Sequence, residues 1–145
     1  MTETRIEHEG LLLGLIIPAD YHAEGISFFT DGSSSQQLGY MNRPEGYNIP
    51  PHTHNVILRE VSLTQEVLII RSGRVRVDFY TREQRYLGSS IAGAGDIVFL
   101  GDGGHGFKML EDSEIVEVKQ GPYCGERDKI RFTPIDDAQV KMNEK

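Results

Sequence analysis

The sequence contains no tryptophan, one cysteine and no long apolar run, and each shortage excludes a class of protein. Cys124 alone cannot form an internal disulfide or a zinc–thiolate cluster, which agrees with a reducing compartment. The longest apolar run, Leu11–Ile17, has seven residues, whereas a membrane-spanning helix needs about 20. Glu3, Glu7 and Glu9 precede this run, where a secretory leader would carry basic residues. We therefore expect a cytoplasmic protein.

Positive charge is also scarce, because the chain has 15 Lys and Arg residues but 22 Asp and Glu residues, which gives a formal net charge of −7. No run of basic residues forms a compensating patch. The overall field therefore repels phosphate backbones and anionic lipid surfaces. We therefore expect neither nucleic acid nor a membrane surface as a partner.

Short segments rich in β-branched and aromatic residues recur between Gly, Pro, Asp and Ser clusters, and none keeps a helical period for long. The predicted strands are Leu11–Ile17, Ile26–Phe29, Gln37–Asn42, Thr53–Val61, Glu66–Arg71, Arg74–Tyr80, Arg85–Ile91, Asp96–Leu100, His105–Leu110 and Glu114–Gln120. About ten strands in one domain of 145 residues indicate an all-β sandwich or barrel. Residues 11–29 supply N-terminal strands, and the polar tail at 136–145 is expected to fray.

Two local patterns refine this prediction. Ser72-Gly73 lies between two strand-like runs and predicts a hairpin turn, because glycine reaches positive φ without steric cost. From Arg74 to Phe79, polar and apolar residues alternate, which predicts a strand with one face buried and the other in water.

The segment Pro50-Pro51-His52-Thr53-His54 carries two histidines at i and i+2. On a strand, side chains with this spacing project from one face and can reach the same metal ion. A His-x-His pair alone is more often a polar strand face or a loop coincidence.

The surrounding spacing is more specific. Gly46 lies six residues before His52, and Glu66 lies seven residues before Gly73. This arrangement resembles the first motif of the cupin superfamily: a glycine, five residues, His-x-His, a gap, a glutamate, six residues and a glycine. A second motif would run from Gly95-Asp96 to a third histidine, His105, so the resemblance covers roughly residues 40 to 118.

The resemblance implies a cupin-type double-stranded β-helix, a jelly-roll barrel, over approximately residues 36–120. It also implies a metal site on His52, His54, Glu66 and His105. The chain departs from the family pattern in the gap of eleven residues between His54 and Glu66, where the family has three or four. Glu60 is therefore a rival ligand, although Val67 stands where its motif would need a glycine.

Three imidazoles and one carboxylate suit Fe, Mn, Co, Ni, Cu or Zn. The resemblance then implies a metal-dependent enzyme acting on a small polar metabolite, similar to a carbohydrate isomerase or epimerase or to a dioxygenase. Two alternatives are a non-catalytic cupin that binds or senses a small ligand and a metal-free sugar-processing cupin. Tyr40 and Arg43 are candidate substrate contacts, because their irregular segment leads directly to the histidine pair.

Strand parity places further residues beside these ligands. If Glu66 points inward, Leu68 and Ile70 do as well, and if His105 points inward, so do Phe107 and Met109. An ordinary packed core is the default interpretation of these four residues. Leu11–Ile17 lies outside the motif region, and as an edge strand it would pair with the same strand of a second subunit. We therefore expect a homodimer.

Overall fold

The regular structure of the chain is almost entirely antiparallel β-sheet, and strands make up 41% of the chain. The computed structural model describes residues 1–143. Its strands are β1 (Thr4–His8), β2 (Leu11–Ile17), β3 (Gly25–Phe28), β4 (Gly39–Asn42), β5 (Glu66–Ser72), β6 (Arg74–Tyr80), β7 (Tyr86–Gly93), β8 (Ile97–Leu100), β9 (Gly104–Met109) and β10 (Glu114–Lys119), with short 3-10 helices at Gly125–Asp128 and Asp137–Gln139. The predicted all-β fold with about ten strands is confirmed. Within residues 1–143, neither helix is long and apolar enough to cross a membrane.

The chain divides into two compact units. His22–Leu63 forms the smaller unit, which contains the hairpin of β3 and β4 with Gly25 opposite Asn42. The amide of Asn42 donates a 3.0 Å hydrogen bond to the carbonyl of Ala23 and fixes the open end of this hairpin.

The larger unit contains Met1–Tyr21 and the chain from Thr64 onward. It holds a five-stranded sheet of order β1-β2-β8-β5-β10 and a three-stranded sheet of order β7-β6-β9. Both sheets contribute to one hydrophobic core, in which Leu68 and Leu100 of the first sheet meet Val77 and Phe79 of the second. No closed barrel joins the strands of the described residues, so the observed architecture is a pair of antiparallel sheets around a common core.

The predicted strand Thr53–Val61 is wrong. This segment forms no regular structure, and its apolar side chains are exposed, with Val56 and Leu58 at 105% and 92% of full exposure. Residues that favour strands form one only when a neighbouring strand accepts their backbone hydrogen bonds. His52 and His54 therefore stand on an irregular segment and not on a strand.

The predicted hairpin at Ser72-Gly73 is a turn between the two sheets. Its flanking strands do not pair, because β5 bonds to β8 and β10 whereas β6 bonds to β7 and β9. Gly73 has φ of +83°, and a Cβ there would lie 2.3 Å from the carbonyl oxygen of Asp112. The glycine is thus required by both conformation and space.

The polar face of β6 is buried, contrary to the predicted water-facing side. Arg76 and Asp78 are 8% and 3% exposed. The C-terminal segment covers this face, because Asp137 accepts a 2.8 Å hydrogen bond from Arg76 and Ser89 of β7 exchanges backbone bonds with Lys141 and Asn143. The prediction that the tail frays from residue 136 is therefore wrong up to Asn143, since specific polar contacts outweigh its polar composition.

The predicted edge position of Leu11–Ile17 is also wrong. This strand, β2, is paired on both sides, by β1 and β8, and β1 is an edge strand that its mixed composition did not reveal. Leu68 and Ile70 are buried as expected. Phe107 and Met109 lie opposite the core residues Val77 and Val75, yet they remain 37% and 49% exposed because β9 is the edge of its sheet.

Candidate functional site

The larger unit brings together Glu66 and His105, two of the four predicted ligands. Glu66 opens β5 opposite the core residue Leu100, and His105 lies on β9 opposite the core residue Phe79. Directly opposed residues of neighbouring antiparallel strands share a face of the sheet. Both side chains therefore belong to the inner faces, and Nε2 of His105 lies 3.3 Å from Oε2 of Glu66.

Hydrogen bonds hold the chain in place immediately before Glu66. The hydroxyl of Thr64 donates to Asp128 at 2.5 Å, and the backbone N–H of Gln65 donates to the side-chain oxygen of Gln120 at 2.5 Å. These contacts tie the start of β5 to the segment that follows β10. The backbone that leads into Glu66 is thus held by two partners far away in sequence.

The Glu66 carboxylate is in a positive environment. Its pKa is held below the ordinary value, first by the hydrogen bond from His105 and further by the positive charges of His105, Lys119 and Lys129, against the opposing effect of burial. Lys119 stands directly opposite Glu66 on β10. At 13% side-chain exposure, the carboxylate remains ionised at neutral pH because of these partners.

The two other predicted ligands, His52 and His54, lie close to each other in the smaller unit. Their ring centroids are 5.2 Å apart, with an angle of 71° between the ring planes. Nδ1 of His52 lies 3.0 Å from the carbonyl oxygen of Pro50. Since a carbonyl only accepts, Nδ1 carries the proton and Nε2 of the neutral ring keeps its lone pair for a metal.

The predicted substrate contacts Tyr40 and Arg43 also belong to the smaller unit. Tyr40 lies in β4 opposite Ser27. The guanidinium of Arg43 stacks on the ring of Tyr47, 4.7 Å from its centroid, which is a cation–π geometry. Glu60, the rival ligand, is exposed in the irregular segment after the histidine pair.

The donor chemistry of these residues fits a transition metal, because it combines imidazole nitrogens with one carboxylate. In the geometry of residues 1–143, no three His, Cys, Asp or Glu side chains gather into a metal-binding group. Glu66 and His105 bond to each other, so a metal ion shared by this pair would replace their direct hydrogen bond.

Sequence patterns missed the residues that surround these ligands. The position of Lys119 beside Glu66 results from the pairing of β10 with β5, and the sequence of a single strand does not reveal its partner. Lys129 is brought near Glu66 by the segment after β10, and no sequence pattern around Lys129 indicates this proximity. The buried pair of Arg76 and Asp78 was visible as charged positions in a strand, but alternation assigned them to water.

In comparisons with known proteins, no protein-family model, curated protein or solved structure significantly matches this chain.

Proposed function

We propose that this chain is a cupin, with the double-stranded β-helix typical of that family, that binds one divalent transition metal through His52, His54, Glu66 and His105. The contact between Glu66 and His105 is the main support, because two residues that the motifs name as ligands meet across 39 positions of sequence (105 minus 66). The tautomer of His52 adds support, since its Nε2 is available as a ligand. His52 and His54 themselves enter the proposal through the sequence motif.

The proposed activity is that of a metal-dependent enzyme acting on a small polar metabolite, of the carbohydrate isomerase or epimerase type or of the dioxygenase type. A bound divalent metal would act as a Lewis acid that polarises a carbonyl or hydroxyl group. Four protein ligands on a six-coordinate ion would leave two positions for the substrate. Tyr40 and Arg43 are the proposed substrate contacts, through a phenol and a guanidinium.

The hydrogen bond between Glu66 and His105 favours a second candidate function, a sugar-processing cupin without metal. A carboxylate that accepts a hydrogen bond from an imidazole orients the ring and stabilises its protonated form. In this alternative, His105 would transfer a proton to or from the substrate, and Glu66 would orient it.

Elemental analysis of untagged protein separates these candidates. We expect about one transition-metal ion per chain, lost in His52→Ala/His54→Ala and in Glu66→Gln. His22→Ala removes an exposed histidine of the same small unit and should keep the metal. Loss of metal in Glu60→Gln with retention in Glu66→Gln would assign the carboxylate ligand to Glu60 instead.

Two other results would contradict the proposal. Protein purified and reconstituted with Fe, Mn, Co, Ni, Cu and Zn that retains none of them would support the metal-free alternative. A bound metal without turnover of sugars, hydroxy acids or diols would favour a binding or sensing cupin. The predicted homodimer is tested separately by light scattering during gel filtration, where a monomer at micromolar concentration would contradict it.

A further inference from the structure

We infer that the larger unit contains a second ligand site, a cavity of about 460 Å³ that binds a small uncharged apolar molecule. The cavity is lined by Thr4 of β1, Ile16 of β2, Ile91 of β7 and Met142 of the C-terminal segment. Strands β1 and β7 are edges of the two different sheets. The cavity therefore lies along one side of the common core, where no strand continues either sheet.

Its size suits a compact organic ligand. Ligand pockets in proteins usually measure about 300–1,000 Å³. An apolar cavity of about 150 Å³ holds one benzene ring. A volume of about 460 Å³ therefore has room for a molecule of two or three rings or a short hydrocarbon chain.

The lining determines the chemical class, because its main polar groups already have partners. The two carboxylate oxygens of Asp96 accept 2.8 Å hydrogen bonds from the backbone N–H groups of Ala19 and Gly93. The amide of Asn143 donates to the hydroxyl of Ser90 at 3.1 Å. These hydrogen bonds hold the polar groups in the walls of the cavity, and the Asp96 carboxylate among them disfavours an anionic ligand.

Apart from the hydroxyls of Thr2 and Thr4, the rest of the lining is apolar, and part of it can adapt its shape. Ile16, Pro18 and Ile91 come from ordered strands or their ends, and Met1 and Met142 stand at the outer side with 77% and 50% exposure. Methionine side chains are flexible and polarisable and adjust to differently shaped apolar ligands. The chain's net charge of −7 further disfavours anionic ligands.

This inference is independent of the proposed metal site. None of His52, His54, Glu66 and His105 lines the cavity. Variants at either place can therefore separate the two.

Titration with the neutral fluorophore N-phenyl-1-naphthylamine tests the site, with the sulfonated fluorophore 1-anilinonaphthalene-8-sulfonate as the charged comparison. We expect saturable binding of one neutral molecule per chain, at least about tenfold tighter than that of the sulfonate. Thr4→Phe fills the cavity from an edge strand and should weaken binding about tenfold or more. Met142→Glu places a charge on the outer wall at an exposed position and should weaken it similarly.

Two variants serve as controls, and thermal unfolding verifies that all four are folded. Arg5→Phe adds the same ring to the same strand on the opposite face and should leave binding unchanged, as should Glu66→Gln. The inference is overturned by absence of saturable binding, by equal affinity for both fluorophores, or by unchanged affinity in Thr4→Phe and Met142→Glu. A native dimer that dissociates in Thr4→Phe would also overturn it, because a second copy would then cover the cavity.

Discussion

Replacing Asp78 by asparagine should strongly destabilise the protein. The Asp78 carboxylate accepts hydrogen bonds from Nε of Arg76 at 2.8 Å and from Nη2 at 3.0 Å, and it also accepts one from the hydroxyl of Ser89. All three side chains are buried. The substitution keeps the shape of the side chain but leaves the Arg76 cation with only Asp137 as an anionic partner in this network.

The expected loss is about 3–5 kcal/mol, the usual cost of removing one member of a buried ion pair. An arginine side chain does not lose its proton in proteins, so Arg76 keeps its charge when Asp78 no longer balances it. With an unfolding entropy of about 2.1 cal/mol/K per residue, the 145-residue chain has about 0.3 kcal/mol/K in total. The melting temperature should therefore fall by roughly 10–16 °C.

Urea denaturation followed by circular dichroism measures this loss, with two further variants as references. Asp137→Asn removes a partner whose side chain is 56% exposed, so it should cost about 1 kcal/mol or less. Arg76→Met/Asp78→Leu removes both buried charges and should recover most of the stability lost in Asp78→Asn. A loss below about 1 kcal/mol in Asp78→Asn, or a double variant less stable than the single one, would refute the reasoning.

Three further predictions concern a surface pair, a turn and the C-terminal segment. Arg82 binds Asp102 through two hydrogen bonds of 2.6 and 2.7 Å and lowers the pKa of that carboxyl. Asp102→Asn should therefore reduce the free energy of unfolding at pH 7. The difference from the native protein should disappear as the pH falls through the lowered pKa of the folded state. If the difference shows no decrease as the pH falls below the ordinary range of an aspartate, the carboxylate charge is not its cause. Gly73→Ala should cost more stability than Gly10→Ala, because both glycines have positive φ but of the two only Gly73 would bring a Cβ against the backbone. The free energy of unfolding measured with urea should therefore fall by about 1 kcal/mol for Gly10→Ala and by at least twice that for Gly73→Ala. Equal losses would contradict the contact argument. Deleting residues 135–145 removes the backbone partners of Ser89. The melting temperature should fall, and the newly exposed edge of β7 should promote self-association. Unchanged melting and gel-filtration profiles would show that the segment contributes nothing to stability or to protection of this edge.

Most strand positions could be predicted from local pattern because they depend on side-chain composition and turn residues. Leu11–Ile17 and Arg74–Tyr80 have the predicted bounds, and the other matched strands differ by a few residues at their ends. Thr53–Val61 has the same local pattern but lies in no strand. Its failure shows that a strand also requires a paired neighbour, which sequence pattern does not supply.

The candidate site was predictable only in part, for a related reason. Motif spacing selected Glu66 and His105, and strand parity predicted only which neighbours on each strand would point the same way. Their contact depends on the distance between two sheets, and the pKa of Glu66 depends additionally on Lys119 and Lys129, which belong to other segments. Local spacing carries no information about such partners.

The sequence by itself determined the all-β class and the turn positions, because short-range sterics and side-chain periodicity act within a few residues. The candidate ligands came from the resemblance of its motifs to the cupin superfamily. Only the tertiary structure decided that Arg76 and Asp78 are buried under the C-terminal segment, that Ser72-Gly73 connects two sheets, and that Glu66 meets His105. These outcomes depend on which strands pair and which faces are covered. Strand pairing and the covering of sheet faces arise from contacts between residues far apart in the chain. The buried polar groups are compensated there by hydrogen-bond partners that no local pattern specifies.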